Sequence, residues 1–259
     1  MLRSITSVLS SLLFGIALTS GTMAYAQTES PETPPEVTTA VTQIDAAANQ
    51  RDLHGVMRFF SPNFRHADGL NRSRLEDALQ NLWERYPQIA YQTEVNSWQR
   101  EGEAIVFETT TTITGTQLIN GQNFSLNSTV RSRQRLENGQ IVQQEVLSEQ
   151  NQLSSGENPP TVEIQLPEQV VIGRTYNFDA IVQEPLGTRL LLGTAIEEPI
   201  NTSQYFTTAP IDLELLSAGG LFKVGRAPAL PDSRWISAVI IREDGITLET
   251  RRVRVVGHE

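Results

Sequence analysis

RSRQRLENGQIVQQEVLSEQ, residues Arg131–Gln150, is the stretch on which the fold turns. Before Asn138-Gly139 the chain alternates, with Ser132, Gln134 and Leu136 on one parity and Arg131, Arg133 and Arg135 on the other. A period of two belongs to an extended strand, whose successive side chains point to opposite faces. Asn-Gly between two such runs signals a hairpin, because the two-residue turns that match strand twist need positive φ, which both residues tolerate. Two more turn signals lie upstream, Glu101-Gly102 and Asn120-Gly121. Together they divide Ile89–Trp98, Ala104–Thr114, Phe124–Leu136 and Ile141–Leu153 into a four-stranded antiparallel meander.

Before Pro87 the period is helical. Val37–Gln50 places Val37, Val41, Ile44 and Ala48 on one stripe. Asp52 is an N-cap for DLHGVMRFF, which turns Leu53, Val56, Met57 and Phe60 inward and stops at Ser61-Pro62. Asn71 or Ser73 caps RLEDALQNLWERY, with Leu75, Leu79 and Leu82 facing in alongside Trp83, or Tyr86 one turn on. Between the last two helices lies FRHADG, a short extended piece ending in Asp68-Gly69. Residues 37–153 therefore form an α+β domain of three helices on a curved antiparallel sheet. Ser154–Pro160 reads as a linker. Residues 161–257 lose the helical period, and their short strands between Gly and Pro turns predict an all-β sandwich. In that half Leu221-Phe222, after Gly219-Gly220, reads as an apolar loop.

The first residues, MLRSITSVLSSLLFGIALTSGTMAYAQ, have the order of an export signal: Arg3, an apolar stretch Val8–Leu18, and Ala24-Tyr25-Ala26 as a small-x-small cleavage site. The expectation is a secreted or periplasmic protein cleaved after Ala26, with residues 27–36 as a polar, Pro-rich spacer and no membrane span. Cysteine is absent, which excludes disulfides, thiolate metal sites and Cys nucleophiles. Formal net charge is −10, and no basic stretch offsets it, so nucleic acid and anionic membrane are not expected partners.

Three stretches, AAANQRDLHGVMRFFSPNF, HADGLNRSRLEDALQNLW and RSRQRLENGQIVQQEVLSEQ, resemble in their order and spacing the cone-shaped nuclear transport factor two-like superfamily, in its SnoaL-like, polyketide-cyclase branch. The resemblance covers about Val37 to Leu153. It implies a pocket between the helices and the concave sheet face. It also implies homodimers formed through the sheet, and a function drawn from isomerases, cyclases, hydrolases or noncatalytic binding domains. The second half is immunoglobulin-like by pattern alone.

In an enzyme of that kind a carboxylate or His would face the apolar pocket as general base. On each strand the more apolar parity should face the helices. That places Tyr91, Thr93, Phe107, Thr109, Thr111, Ser128 and Ser132 inward, facing Phe60 and Trp83 from the helices, and this is the expected ligand pocket. It holds hydroxyls but no carboxylate or His. On Ile141–Glu149 parity is ambiguous: either Val142, Gln144 and Val146 face in, or Ile141, Gln143, Glu145 and Leu147 do, and the second choice makes Glu145 a pocket carboxylate. His66 and Asp68, two apart on an extended piece, point the same way. They are either a paired acid–base group at the pocket mouth or an edge residue followed by a turn. His66, Asp68 and Glu145 are thus the catalytic candidates. Arg131, Arg133 and Arg135 read as an outer face satisfied by acids on neighbouring strands, or as a carboxylate-binding ladder. Three scattered histidines, no Gly-rich phosphate loop, no G-x-S-x-G and no H-E-x-x-H leave no metal or cofactor expected. The favoured expectation is noncatalytic binding of a small apolar ligand or a protein partner. A SnoaL-like isomerase, cyclase or hydrolase is one alternative, and an envelope assembly role is the other.

Overall fold

The computed structural model describes residues 32–185, 187, 189–206, 211–216 and 219–257. The expected export signal, its cleavage site and the first half of the spacer lie outside the described residues. Helix α1 spans Pro35–Asn49 and starts inside the expected spacer, because Pro35 occupies a first-turn position, where its missing N–H is no loss. Asp52 caps α2, Leu53–Met57, accepting from the Gly55 N–H at 2.9 Å. This helix is shorter than its sequence pattern suggests. Phe60 leaves it to open strand β1, Phe60–His66, where it pairs with Ile141 and packs edge-to-face on Phe64 at 5.0 Å. Asn71, not Ser73, caps α3, Arg72–Arg85, through the Arg74 N–H at 2.9 Å.

The meander follows as β2 (Gln88–Glu101), β3 (Ala104–Ile119), β4 (Gln122–Glu137) and β5 (Gln140–Gly156). Asn138 and Gly139 adopt φ of 49° and 75°, and Asn120 and Gly121 adopt 51° and 83°, as the turns require. Helix α1 is fastened along the free edge of β2. Asp45 accepts from the Thr93 N–H and hydroxyl at 2.7 Å each, and the Asn49 amide both donates to and accepts from the Tyr91 backbone. Two side chains one helical turn apart thus take the hydrogen bonds that another strand would have taken.

The C-terminal half adds β6 (Val162–Gln165), β7 (Gln169–Val171), β8 (Thr175–Val182), β9 (Leu192–Pro199), β10 (Glu214–Leu215), β11 (Gly220–Arg226), β12 (Asp232–Arg242) and β13 (Gly245–Val256). Ser154, Ser155 and Gly156, expected in a linker, instead pair with Thr247, Ile246 and Gly245 of β13. The two halves therefore share one ten-stranded sheet, ordered β10-β9-β12-β13-β5-β4-β3-β2 with β1 and β7 paired beside it, and the described residues from Thr33 onward form one compact unit. A small second sheet, β11-β8-β6, packs on it. Leu221-Phe222 is part of strand β11, not a loop, with Leu221 buried and Phe222 exposed.

Two apolar cores lie on opposite faces of this sheet. Directly opposed residues of antiparallel strands share a face, so the registers can be read across from Ile113 through Ser128 and Asn151 to Thr250 and Ser237. That face carries Ile105, Phe107, Leu136 and Ile141 against the helices. The other face carries Ile236, Ala238, Ile240, Val253 and Val255 against Phe178 and Ala180 of β8. Strand β5 is where the sheet forks. Its first part pairs in parallel with β1, and its last part pairs with β13, whose own far end pairs instead with β7.

Candidate functional site

The expected pocket lining is on the concave face, and much of it is core. Phe60, Trp83 and Phe107 are buried, and the Trp83 indole donates to the Tyr91 hydroxyl at 2.9 Å. Burial pushes the Tyr91 phenol up to about 12. Thr93 and Thr111 share a hydroxyl–hydroxyl bond of 3.0 Å, and the Ser128 hydroxyl bonds to Asn151 at 2.6 Å. Thr109 and Ser132 are buried one strand apart. None of these contacts brings a free acid or base into the interior.

His66 and Asp68 come together at the fork rather than around a substrate. The turn forms as Gly69 takes φ 89° and donates to the His66 carbonyl, while Ala67 donates to Gln144 of β5. Asp68 is buried and accepts both Arg252 nitrogens, Nη1 at 3.0 Å and Nη2 at 2.8 Å, and the Tyr205 hydroxyl at 2.6 Å. Arg252 also reaches Glu149 at 3.3 Å, and Glu149 accepts the Trp235 indole N–H at 2.9 Å. Burial raises the Asp68 carboxyl, but the Arg252 hydrogen bonds and charge outweigh it and hold it below its ordinary value. Burial lowers His66, and the nearby Asp68 only partly restores it. The His66 Nδ1 accepts the Asp68 backbone N–H at 3.1 Å, so the neutral ring carries its proton on Nε2. In that tautomer Asp68 does not receive a proton from the ring, and the ring offers a donor rather than a basic nitrogen. The pair joins the two halves of the molecule.

Glu145 faces away from the helices. Two bulges on β5, at Val142 and Leu147, break the parity, so neither expected set faces in as a whole: Ile141, Gln144, Val146 and Glu149 share the concave face. Glu145 instead takes Arg254 at 3.0 Å and lies 3.8 Å from Arg133. Two rungs of the arginine ladder are satisfied across the outer face, as Arg133 binds Glu108 at 2.7 Å and Arg135 binds Glu101 and Glu137 at 2.6 Å each, while Arg131 reaches Glu168 at 3.5 Å and keeps its Nε buried without a partner. Glu101, Glu108, Arg133, Arg135 and Glu145 line a groove of about 540 Å³. No group of three or more His, Asp or Glu suited to a metal occurs among the described residues.

Two residues of the concave face were not singled out from sequence. Glu149 was hidden by the bulge at Leu147. Gln134 was read as inward but given no role. It is 8% exposed, its Nε2 donates to Thr109 at 3.1 Å, and its Oε1 is buried without a partner. Turning the amide over would only exchange which atom is unpaired. Gln134 stands opposite Gln144, which stands opposite His66, so these three polar groups form one row across β4, β5 and β1.

The three-helix cone with its curved meander defines the class. Residues 41–144 match the family model described as a SnoaL-like domain. Residues 157–256 match a model described as a domain of unknown function (DUF8623). Between the matches lies the second part of β5, the strand that both halves share. Similar solved structures include AclR, a putative hydroxylase from Streptomyces galilaeus, with 22% identity, 43% of this chain and 86% of that chain covered, and TM-score 0.32. A putative SnoaL-like polyketide cyclase from Shewanella putrefaciens has 14% identity, 44% and 90% coverage and TM-score 0.35. An LEH-like epoxide hydrolase from M. tuberculosis has 15% identity, 43% and 80% coverage and TM-score 0.30. No curated protein matches the chain.

Proposed function

We propose that this is an exported, noncatalytic binding protein. Its ligand is a small apolar molecule bearing one hydrogen-bond donor, held on the concave face of the SnoaL-like half. The observation that carries this reading is the Gln134 Oε1, a buried acceptor with no partner in an apolar core. Leaving a carbonyl oxygen unpaired in such a place costs about 1–3 kcal/mol, and a ligand donor recovers that cost. The catalytic alternative is weakened by how the candidate acids and bases are used. Asp68 and Glu149 are tied to Arg252, Glu145 to Arg254, and the His66 Nδ1 to a backbone N–H.

The test is native mass spectrometry of the mature protein titrated with N-phenyl-1-naphthylamine, an apolar probe with one N–H. A single saturating adduct supports the reading, and no adduct at any concentration below the probe's solubility sinks it. A protein partner is a second reading, favoured by the apolar pair Leu192 and Leu215 at the short β10 edge, which are 37% and 63% exposed. A homodimer through the outer face of the cone sheet would have to bury the paired Arg and Glu ladder. Light scattering across a concentration series decides it, since a constant monomer mass rules it out.

A further inference from the structure

We propose that the turn His66–Gly69 is an acid-released latch between the SnoaL-like half and the C-terminal half, and that His66 is the residue whose protonation releases it. The inference stands apart from the ligand-binding reading and rests on the geometry of the fork.

Three contacts close the latch. Asp68 holds Arg252 of β13 through both oxygens, it accepts the Tyr205 hydroxyl from the turn after β9, and its backbone N–H is held by the His66 Nδ1. His66, Asp68 and Arg252 side chains are 5%, 5% and 1% exposed, so solvent does not screen these bonds. The charged or titratable groups facing the imidazole are Asp68 on its own turn, Glu149 on β5, Arg252 on β13 and Tyr205.

Because Nε2 already carries the ring's proton, a second proton must go to Nδ1. Two N–H groups would then face each other where one hydrogen bond had been, and the Asp68 N–H would lose its acceptor. The new Nδ1–H has the Asp68 Oδ2 3.5 Å away. That oxygen already takes Arg252 and Tyr205, so the imidazolium competes for it and sets a second positive charge beside Arg252. All three closing contacts are weakened by a single proton.

The sign follows from burial. The fold holds His66 below its ordinary value, so the ring is neutral and the latch closed near pH 7. As pH falls below about 6.5 the unfolded chain takes up the proton before the folded one does, and the latch's contribution is lost as pH passes through the folded value. The event is local. The β5–β13 ladder, with pairs from Gly156↔Gly245 to Gln150↔Arg251, lies beyond the turn and contains no histidine.

Trp235 reports on the latch directly, because its indole N–H donates to Glu149, which Arg252 also contacts. The experiment is ¹⁵N-edited NMR of the indole N–H groups of the full chain from pH 7.5 to 4.5, with Trp235 assigned through Trp235→Phe. His66→Asn is measured in parallel, since its side-chain oxygen can take the place of Nδ1 as acceptor but cannot titrate. The expected result is that the Trp235 signal shifts or broadens as acid is added to the natural protein and stays in place in H66N. A Trp235 signal that is unchanged in the natural protein, or that moves equally in H66N, overturns the proposal. The His66 ring-proton resonance of the natural protein gives an independent reading that needs no variant. A midpoint below 6.5 supports the latch, and a midpoint above it overturns the latch.

Discussion

Replacing Gln134 with leucine separates a role in binding from a role in stability. Leucine is close in volume to the glutamine side chain and stays apolar among Phe107, Leu136 and Ile141. The change removes the buried, unpartnered Oε1, whose cost is about 1–3 kcal/mol. It also removes the Nε2 bond to Thr109 and leaves that buried hydroxyl without a partner, again at about 1–3 kcal/mol. The two terms nearly cancel, so the ligand-free protein should lose or gain no more than roughly 1 kcal/mol. For a unit of this size that amounts to a change in Tm within about 2–4 °C. The assay is thermal unfolding by circular dichroism together with urea unfolding, on protein stripped of bound small molecules by organic extraction and refolding. A buried polar residue retained only for the fold would make the change clearly destabilising, and a loss of more than about 2 kcal/mol on making Q134L would refute the reasoning.

Other outcomes follow from the same geometry. Arg252→Met leaves Asp68 and Glu149 buried near each other without their cation, and should cost about 3–5 kcal/mol in urea unfolding; a cost under about 1 kcal/mol would show that the fork is held by its backbone ladder alone. Gly139→Ala forces a side chain into φ 75° and should cost about 1 kcal/mol or more without altering probe binding, whereas a neutral result would mean that the turn relaxes. Asp52→Ala removes the cap on α2 and should cost about 1 kcal/mol, with local amide exchange rising at Gly55 first; uniform exchange along the chain would contradict this assignment. Mass spectrometry of the exported protein should give an N-terminus at Gln27, and an intact leader would contradict the export reading.

What the sequence showed well was local. The Asn-Gly turns, the Asp52 and Asn71 caps and the switch of period at Pro87 all act over a few residues, and the structure has them. The misses were of two kinds. One extra residue in a strand leaves no mark in composition, so the bulges at Val142 and Leu147 reversed the parity of β5 unseen, moving Glu145 out and Glu149 in. Pairing across long separations is equally silent. Ser154-Ser155-Gly156 has the composition of a linker, and only the arrival of Gly245–Thr247, some ninety residues later, makes it a ladder. The same distance hid the partner of Asp68. A dyad at a pocket mouth and one half of an ion pair look alike until Arg252 is in place. Phe60 illustrates a third limit: its helical spacing was right, but pairing with Ile141 and packing on Phe64 drew it into a strand.

The central claim is that Gln134 marks a binding site, and a fluorescence titration with N-phenyl-1-naphthylamine, run on the natural protein and on Q134L side by side, tests it most directly. The account predicts saturable binding to the natural protein and an affinity weaker by about tenfold or more, about 1.4 kcal/mol, in a Q134L that is folded. Equal affinity in the two proteins would contradict it.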